Sequence, residues 1–256
     1  MNSIEMNAAE LSAAGLLHSE DGVKISRYAI FIPYDERGVC RPVTIHANAV
    51  VEAFTVIHGG SVIGGGATVE TQVIVGKPEF GYAVGHSYAG SGATTTIGEG
   101  SVVRSGAVIY AAVDIGAEVL VGHHTLLRSA VKVGANSQLG HNLTVERATW
   151  IGREVRCSPG SHITSSTRVE DRVFLGAGVR TINDKTLTWR HPYRTPELLP
   201  PRFEEGARVG TGCVVLGGVT VGRDALVGAS SLVTRDIPPG VVAYGHPARV
   251  VGQVTQ

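Results

Sequence analysis

Aromatic side chains make up only 5% of this 256-residue chain, with two Trp and two Met, so a core built from large rings and flexible fillers is excluded. Net charge is absent too: 22 basic residues face 22 acidic ones, which leaves no cationic stripe of the kind nucleic acid demands. No apolar run reaches membrane-spanning length, and the opening MNSIEMNAAELSAAGLL carries Glu5 and Glu10 where a secretory leader would carry cations. These absences predict a cytoplasmic protein with neither a membrane nor a nucleic-acid partner. Cysteine is scarce as well. Cys40, Cys157 and Cys213 are odd in number and widely spaced, which speaks for free thiols over a disulfide or a metal site.

What the chain has instead is glycine, 34 residues of it, and a period of six. From Ile97 to Arg180 the sequence divides into fourteen hexads without a frame slip, opening on Ile97, Val103, Ile109, Ile115, Val121, Leu127 and so on to Leu175. Thirteen of the fourteen first places are Ile, Val or Leu, Cys157 being the exception, and seven of the second places are Gly. Neither a helix nor an alternating strand has this period; a hexapeptide β-helix does. Each hexad is then one short strand and a turn, and three hexads close one coil of a triangular prism. The aliphatic first places stack on its axis, and residues eighteen apart stand in columns that rise about 4.8 Å per coil.

The same frame organises the rest. Hexads begin at Ile45, break between Val75 and Ile97, break again between Leu175 and Val209, and end near Pro238-Pro239-Gly240. Residues 1–40, with a short helix expected within 5–17, read as a cap over the open end of the prism, and 41–256 as the prism itself. Inserted loops are expected at 76–96 and 181–208, with a tail at 238–256. The first loop holds Phe80, Tyr82, His86 and Tyr88, aromatics that either stack on a ligand base or pin the loop down. The second holds four prolines, which forbid a regular element.

These hexads resemble the left-handed β-helix acyltransferases, whose repeat runs aliphatic, then Gly, Ala or acidic, two free places, then Ser, Thr, Ala or Val, and one free place. The ending Gly245-His246-Pro247-Ala248-Arg249-Val250 is similar to the family's closing motif. The resemblance implies an all-β, left-handed parallel β-helix working as a homotrimer, with acetyl-CoA or another acyl-CoA as donor, a small-molecule acceptor and no metal. It places the donor in the groove between subunits. Arg249 and Arg235 are then its phosphate contacts, and small turn residues such as Gly217 and Ala229 let the pantetheine arm approach.

Histidine titrates near neutrality and suits proton transfer. His123 and His141 each occupy the third place of a hexad, eighteen residues apart, so they should stack in one column. Val121-Gly122-His123-His124-Thr125 resembles the stretch in which related sugar acyltransferases keep a general base, except that His124 stands where those enzymes have an acidic residue. Val173 to Asp184 resembles the N-acetyltransferases of nucleotide-linked amino sugars, which end this stretch in Asn-Asp. Asn183 and Asp184 either position an amine or build a turn, and His191 follows as a reserve candidate. The expected reaction is acyl transfer to the amine of a nucleotide-linked amino sugar, with His123, His141 and Asp184 as catalytic candidates and Asn183, His124, Tyr82 and His191 on the acceptor. Alternatives are His-dependent O-acetyl transfer to a sugar or small hydroxyl acceptor and, more distantly, a γ-type carbonic anhydrase, although no two histidines have the five-residue spacing of its zinc ligands.

Overall fold

The computed structural model describes residues 5–79, 90–185 and 197–255. Most strands in them are two or three residues long, and they assemble into three sheets of 10, 12 and 10 strands, which the chain visits in rotation. Face I includes Val43–Ile45, Lys132–Val133 and Thr220–Val221. Face II includes Val50–Val51, Leu120–Val121 and Leu226–Val227, and face III includes Val56–His58, Leu126–Leu127 and Leu232–Val233. Parallel partners are eighteen residues apart, as in Val102 with Leu120 and Leu126 with Thr144. The architecture is the parallel β-helix expected from the hexads, with the left hand that the family resemblance implies.

Each place of the hexad has a physical task. First-place residues such as Ile63, Ile97, Ile109 and Val145 are fully buried on the axis. Fifth places are small because they sit under the next turn, and their hydroxyls join successive coils. Thr125 Oγ1 donates to the carbonyl of Gly140 at 2.7 Å and accepts from the N–H of Leu143 at 3.2 Å; Ser137 does the same to Gly152 and Val155. A buried hydroxyl is thereby satisfied instead of paying about 1–3 kcal/mol as an orphan. Fourth places adopt left-handed backbone, φ 60° at Asn48 and 61° at Asn136. Second-place glycines serve a different need. A Cβ on Gly122 would lie 2.4 Å from the backbone of Gly140 in the next coil, so it is close approach, not φ, that requires glycine there.

Three findings depart from the sequence reading. The prism starts earlier than the hexad frame indicates, because Leu17–Ser19, Lys24–Ile25 and Ile30–Ile32 already form a coil paired to the next one. What covers that end is the helix Ala8–Ala13, whose Asn7 and Glu10 form a reciprocal cap and whose Leu11 is buried. Second, Phe31 and Phe203 are fully buried at inward positions, so the axis does accept a ring. Third, Phe203 belongs to a strand, Arg202–Phe203, that pairs with Arg168–Val169, so the coil resumes inside the segment expected to be a loop to 208. At the other end Val241–Gly245 joins face II and turns back as the antiparallel strand Ala248–Gln253.

Three coils are longer than eighteen residues. Phe31 pairs with Ile57, Ile63 with Ile97 and Val169 with Phe203, steps of 26, 34 and 34 residues. In every case the extra residues lie between a face III strand and the next face I strand, after Ile32, Lys77 and Thr181. One edge of the prism, III/I, therefore carries all three insertions, while the II/III edge keeps its period throughout.

Candidate active site

The II/III edge presents the histidines. Its third-place residues are, from the N-terminal end upward, Ala53, Thr71, Ser105, His123, His141, Pro159, Ala177, Thr211 and Ala229. The column expected from the eighteen-residue spacing exists: the rings of His123 and His141 stack with centroids 5.1 Å apart and planes 22° apart. The backbone N–H of His123 donates to Nδ1 of His141 at 3.0 Å. That bond fixes the neutral tautomer of His141, whose proton must sit on Nε2, so its outward atom is a donor and not a base. His123 has no such constraint. Among the described residues no carboxylate stands within hydrogen-bond reach of either ring. His124, φ 54°, turns down the edge, and its Nδ1 lies where a Cβ on Gly106 would be, so it roofs the coil below instead of orienting His123.

The other candidates divide between edges. Asn183 and Asp184 lie on III/I, where Asn183 Nδ2 donates to Ser165 Oγ at 2.8 Å and Asp184 bridges to Leu198. Three coils of rise and the whole width of face III separate Asp184 from His123, so a single chain does not unite them. Gly217 and Arg235 are also on III/I, Gly217 beneath the carbonyl of Leu199. Ala229 shares the histidines' edge, and Arg249, exposed and paired in register with Tyr244, closes it at the top, Tyr244 packing over Gly228. The four proposed donor contacts thus form two pairs on two edges. Tyr82 and His191 lie outside the described residues.

No protein-family model matches the chain. A stretch of 53 residues, 21% of the chain, is 49% identical to 28% of a dTDP-3-amino-3,6-dideoxy-alpha-D-galactopyranose 3-N-acetyltransferase from Aneurinibacillus thermoaerophilus. A 53-residue stretch is also 45% identical to 19% of the serine acetyltransferase of Escherichia coli K12. The chain therefore matches less than a third of the length of these curated relatives. Among solved structures, Arabidopsis UDP-N-acetylglucosamine acyltransferase matches with TM-score 0.58 at 16% identity, over 90% of this chain and 74% of that one. The chain is a hexapeptide-repeat protein related to the acetyltransferases.

One cluster of this hexapeptide-repeat prism was not legible in the sequence. Glu79, at the root of the first large insertion, is buried, pairs with Arg128 and accepts the N–H of Ser129 at 2.9 Å. Arg128 lies 3.8 Å from Glu146, whose other oxygen is 3.3 Å from Nε2 of His162 on the outer side of face III. A cleft of about 320 Å³, lined by Arg128, Glu146, Arg147, Ser165 and Leu198, opens beside this chain of charges. The partners are 16 to 50 residues apart across an insertion, so no local motif announces them. Among the described residues no three His, Cys, Asp or Glu gather as metal ligands. Burial pushes the Cys157 thiol up to about 12, which leaves it inert at neutral pH.

Proposed function

We propose that the protein is an acetyl-CoA-dependent N-acetyltransferase acting on the amino group of a nucleotide-linked amino sugar, assembled as a homotrimer. The observation that carries this reading is the stacked pair His123–His141, which stands on the small-residue edge without a carboxylate to orient it. A hydroxyl stays protonated far above neutrality and needs a strong, oriented base, whereas an amino-sugar ammonium loses its proton near pH 8, about as an α-amino group does. In the proposed reaction the free amine attacks the thioester carbonyl. The C–N bond forms, the tetrahedral adduct collapses with cleavage of the C–S bond, and coenzyme A leaves as its thiol. His123 takes the amine's proton and passes it to the departing sulfur, and the Nε2–H of His141 donates to a substrate oxygen. Similarity to a dTDP-amino sugar N-acetyltransferase supports the acceptor class, and Asp184 of a neighbouring subunit would hold the amine.

A second reading, O-acetyl transfer, is favoured by a different observation, since His162 does have a carboxylate, Glu146, at 3.3 Å. Steady-state assays with acetyl-CoA and either dTDP-3-amino-3,6-dideoxygalactose or serine separate the two. The amine reading expects transfer to the amino sugar, loss of about 10²-fold or less in kcat for His123→Ala, and partial recovery as pH rises. Turnover of hydroxyl acceptors alone, with dependence on His162, would replace it by O-acetyl transfer.

A further inference from the structure

The II/III edge below the histidines carries a feature that the reaction as described does not use. At its N-terminal end the rings of Tyr28 and Phe54 stack with centroids 5.7 Å apart and planes 21° apart. The guanidinium of Arg27 lies 4.6 Å over Tyr28, so Arg27, Tyr28 and Phe54 form one pile. Its rings belong to successive coils, which makes the pile run along the prism axis with Phe54 on the side of the histidines. Both rings are largely in solvent, 50% and 58% exposed, in a chain that elsewhere has few aromatics.

Phe54 also sits at φ 60°, in the fourth place of its hexad. That place holds glycine, small or polar residues such as Asn48 and Ala148, and the larger Gln72, Glu118, His124, Glu154 and Arg172; Phe54 is the one Phe, Tyr or Trp among the described left-handed residues, and its apolar ring is exposed against hydration. Beside the pile a cavity of about 360 Å³ opens, lined by Met6, Asn7, Arg27, Tyr28, Ile30 and Phe54, a volume within the range of small-molecule sites.

The spacing to the histidines is fixed by the columns. Phe54, Gln72, Gly106 and His124 succeed one another on this edge, so the ring lies three coils, about 14 Å, below the histidine corner. Between them stands Arg104, half exposed and bridged to Glu70, whose carboxylate also accepts from the N–H and Oγ of Ser105. Thr71 Oγ1 donates to Ser105 Oγ at 3.1 Å on the same strip. An aromatic face, then an arginine paired with Glu70 among hydroxyls, then the histidines, follows the order of base, diphosphate and amino sugar in a nucleotide-linked acceptor.

We propose that the exposed ring of Phe54 is the stacking platform for the base of the acceptor nucleotide, with Arg104 at the level of its diphosphate. This rests on the nucleotide-linked acceptor of the preceding section. Stacking of a base on a ring is tolerant of base identity, so the platform selects for a nucleoside, and the sugar is chosen higher up the edge.

The test uses Phe54→Asn, because the chain itself places Asn at this corner and the fold should keep or gain melting temperature. Titration calorimetry of the intact protein with dTDP and with UDP should show binding weakened about tenfold or more in the variant, within what one base–aromatic stack supplies. With dTDP-3-amino-3,6-dideoxygalactose the KM should rise equally, while kcat at saturation and the KM for acetyl-CoA stay as in the wild type. The corresponding amino sugar without its nucleotide should be used equally poorly by both proteins. Unchanged nucleotide affinity in a folded variant overturns the platform while leaving N-acetyl transfer intact. Dissociation of the assembly on sedimentation, with nucleotide affinity preserved, assigns the ring to a subunit contact instead. A wild-type enzyme that acetylates amines only outside nucleotide sugars sinks the nucleotide acceptor itself.

Discussion

His58 shows how a single residue couples this prism to pH. It is buried with no partner for Nδ1 among the described residues, and burial, helped by the nearby Lys77 ammonium, pushes it down to about 4 against the opposing pull of the Tyr34 backbone. The unfolded chain binds a proton near 6.5 that the folded chain refuses until about 4. The stabilisation is therefore complete above 6.5 and is lost as pH falls from 6.5 towards 4, by roughly 3 kcal/mol at most. Urea denaturation across this window should show that slope in the wild type and a flatter one in His58→Gln. At Gly122 the constraint is spatial: Gly122→Ala would drive a methyl into the Gly140 backbone and should cost about 1–3 kcal/mol, read as a lower melting temperature. His123→Ala, on an exposed edge, should leave melting unchanged and reduce only turnover.

At the scale of the element, a buried carboxylate ties the root of the first large insertion to the prism. Glu79→Gln removes the charge facing Arg128, which still approaches Glu146; a loss of about 2 kcal/mol is expected, less than the 3–5 of an ion left wholly unpaired. Hydrogen exchange should then rise at Ser129, whose N–H bonds to that carboxylate. The coils themselves were legible because a period of six fixes which side chain points inward, and a period of eighteen fixes which ones meet. His123 over His141 follows from those two numbers alone. Phe203 was missed because an aromatic breaks the aliphatic pattern, although its neighbours pair in register. The edge on which Asp184 sits also follows from the frame, because Thr181 is the first place after the hexad of Leu175 and Asp184 stands three places on. The tie from Glu79 through Arg128 and Glu146 to His162 depends on how an insertion folds back, which no repeat encodes.

The whole molecule raises the question of how candidates on two edges serve one reaction. His123 and Asp184 lie on opposite sides of face III, and a ring of three prisms can set the II/III edge of one against the III/I edge of the next. Sedimentation should give a trimer. The sharper measurement mixes two impaired chains: co-assembly of His123→Ala with Asp184→Ala should rebuild about a quarter of the interfaces with both residues intact, and activity should rise on mixing. Recovery absent from proven mixed trimers would place the two residues in separate tasks. Arg249→Ala should raise the KM for acetyl-CoA above that for the acceptor, through loss of a charge-assisted phosphate contact.

That every insertion departs through one edge also divides the molecule's freedom to change. Pairing resumes in register beyond each departure, as Ile63 with Ile97 and Val169 with Phe203 show, so lengthening or exchanging a segment there displaces no column. The same alteration on the histidine edge would intrude beside the stacked rings of His123 and His141. One margin of this prism thus admits longer segments, while the histidine margin, as built, carries none among the described residues. Transplanting a foreign segment between Thr181 and Arg202 should alter which acceptor is preferred and leave the spacing of His123 and His141 untouched.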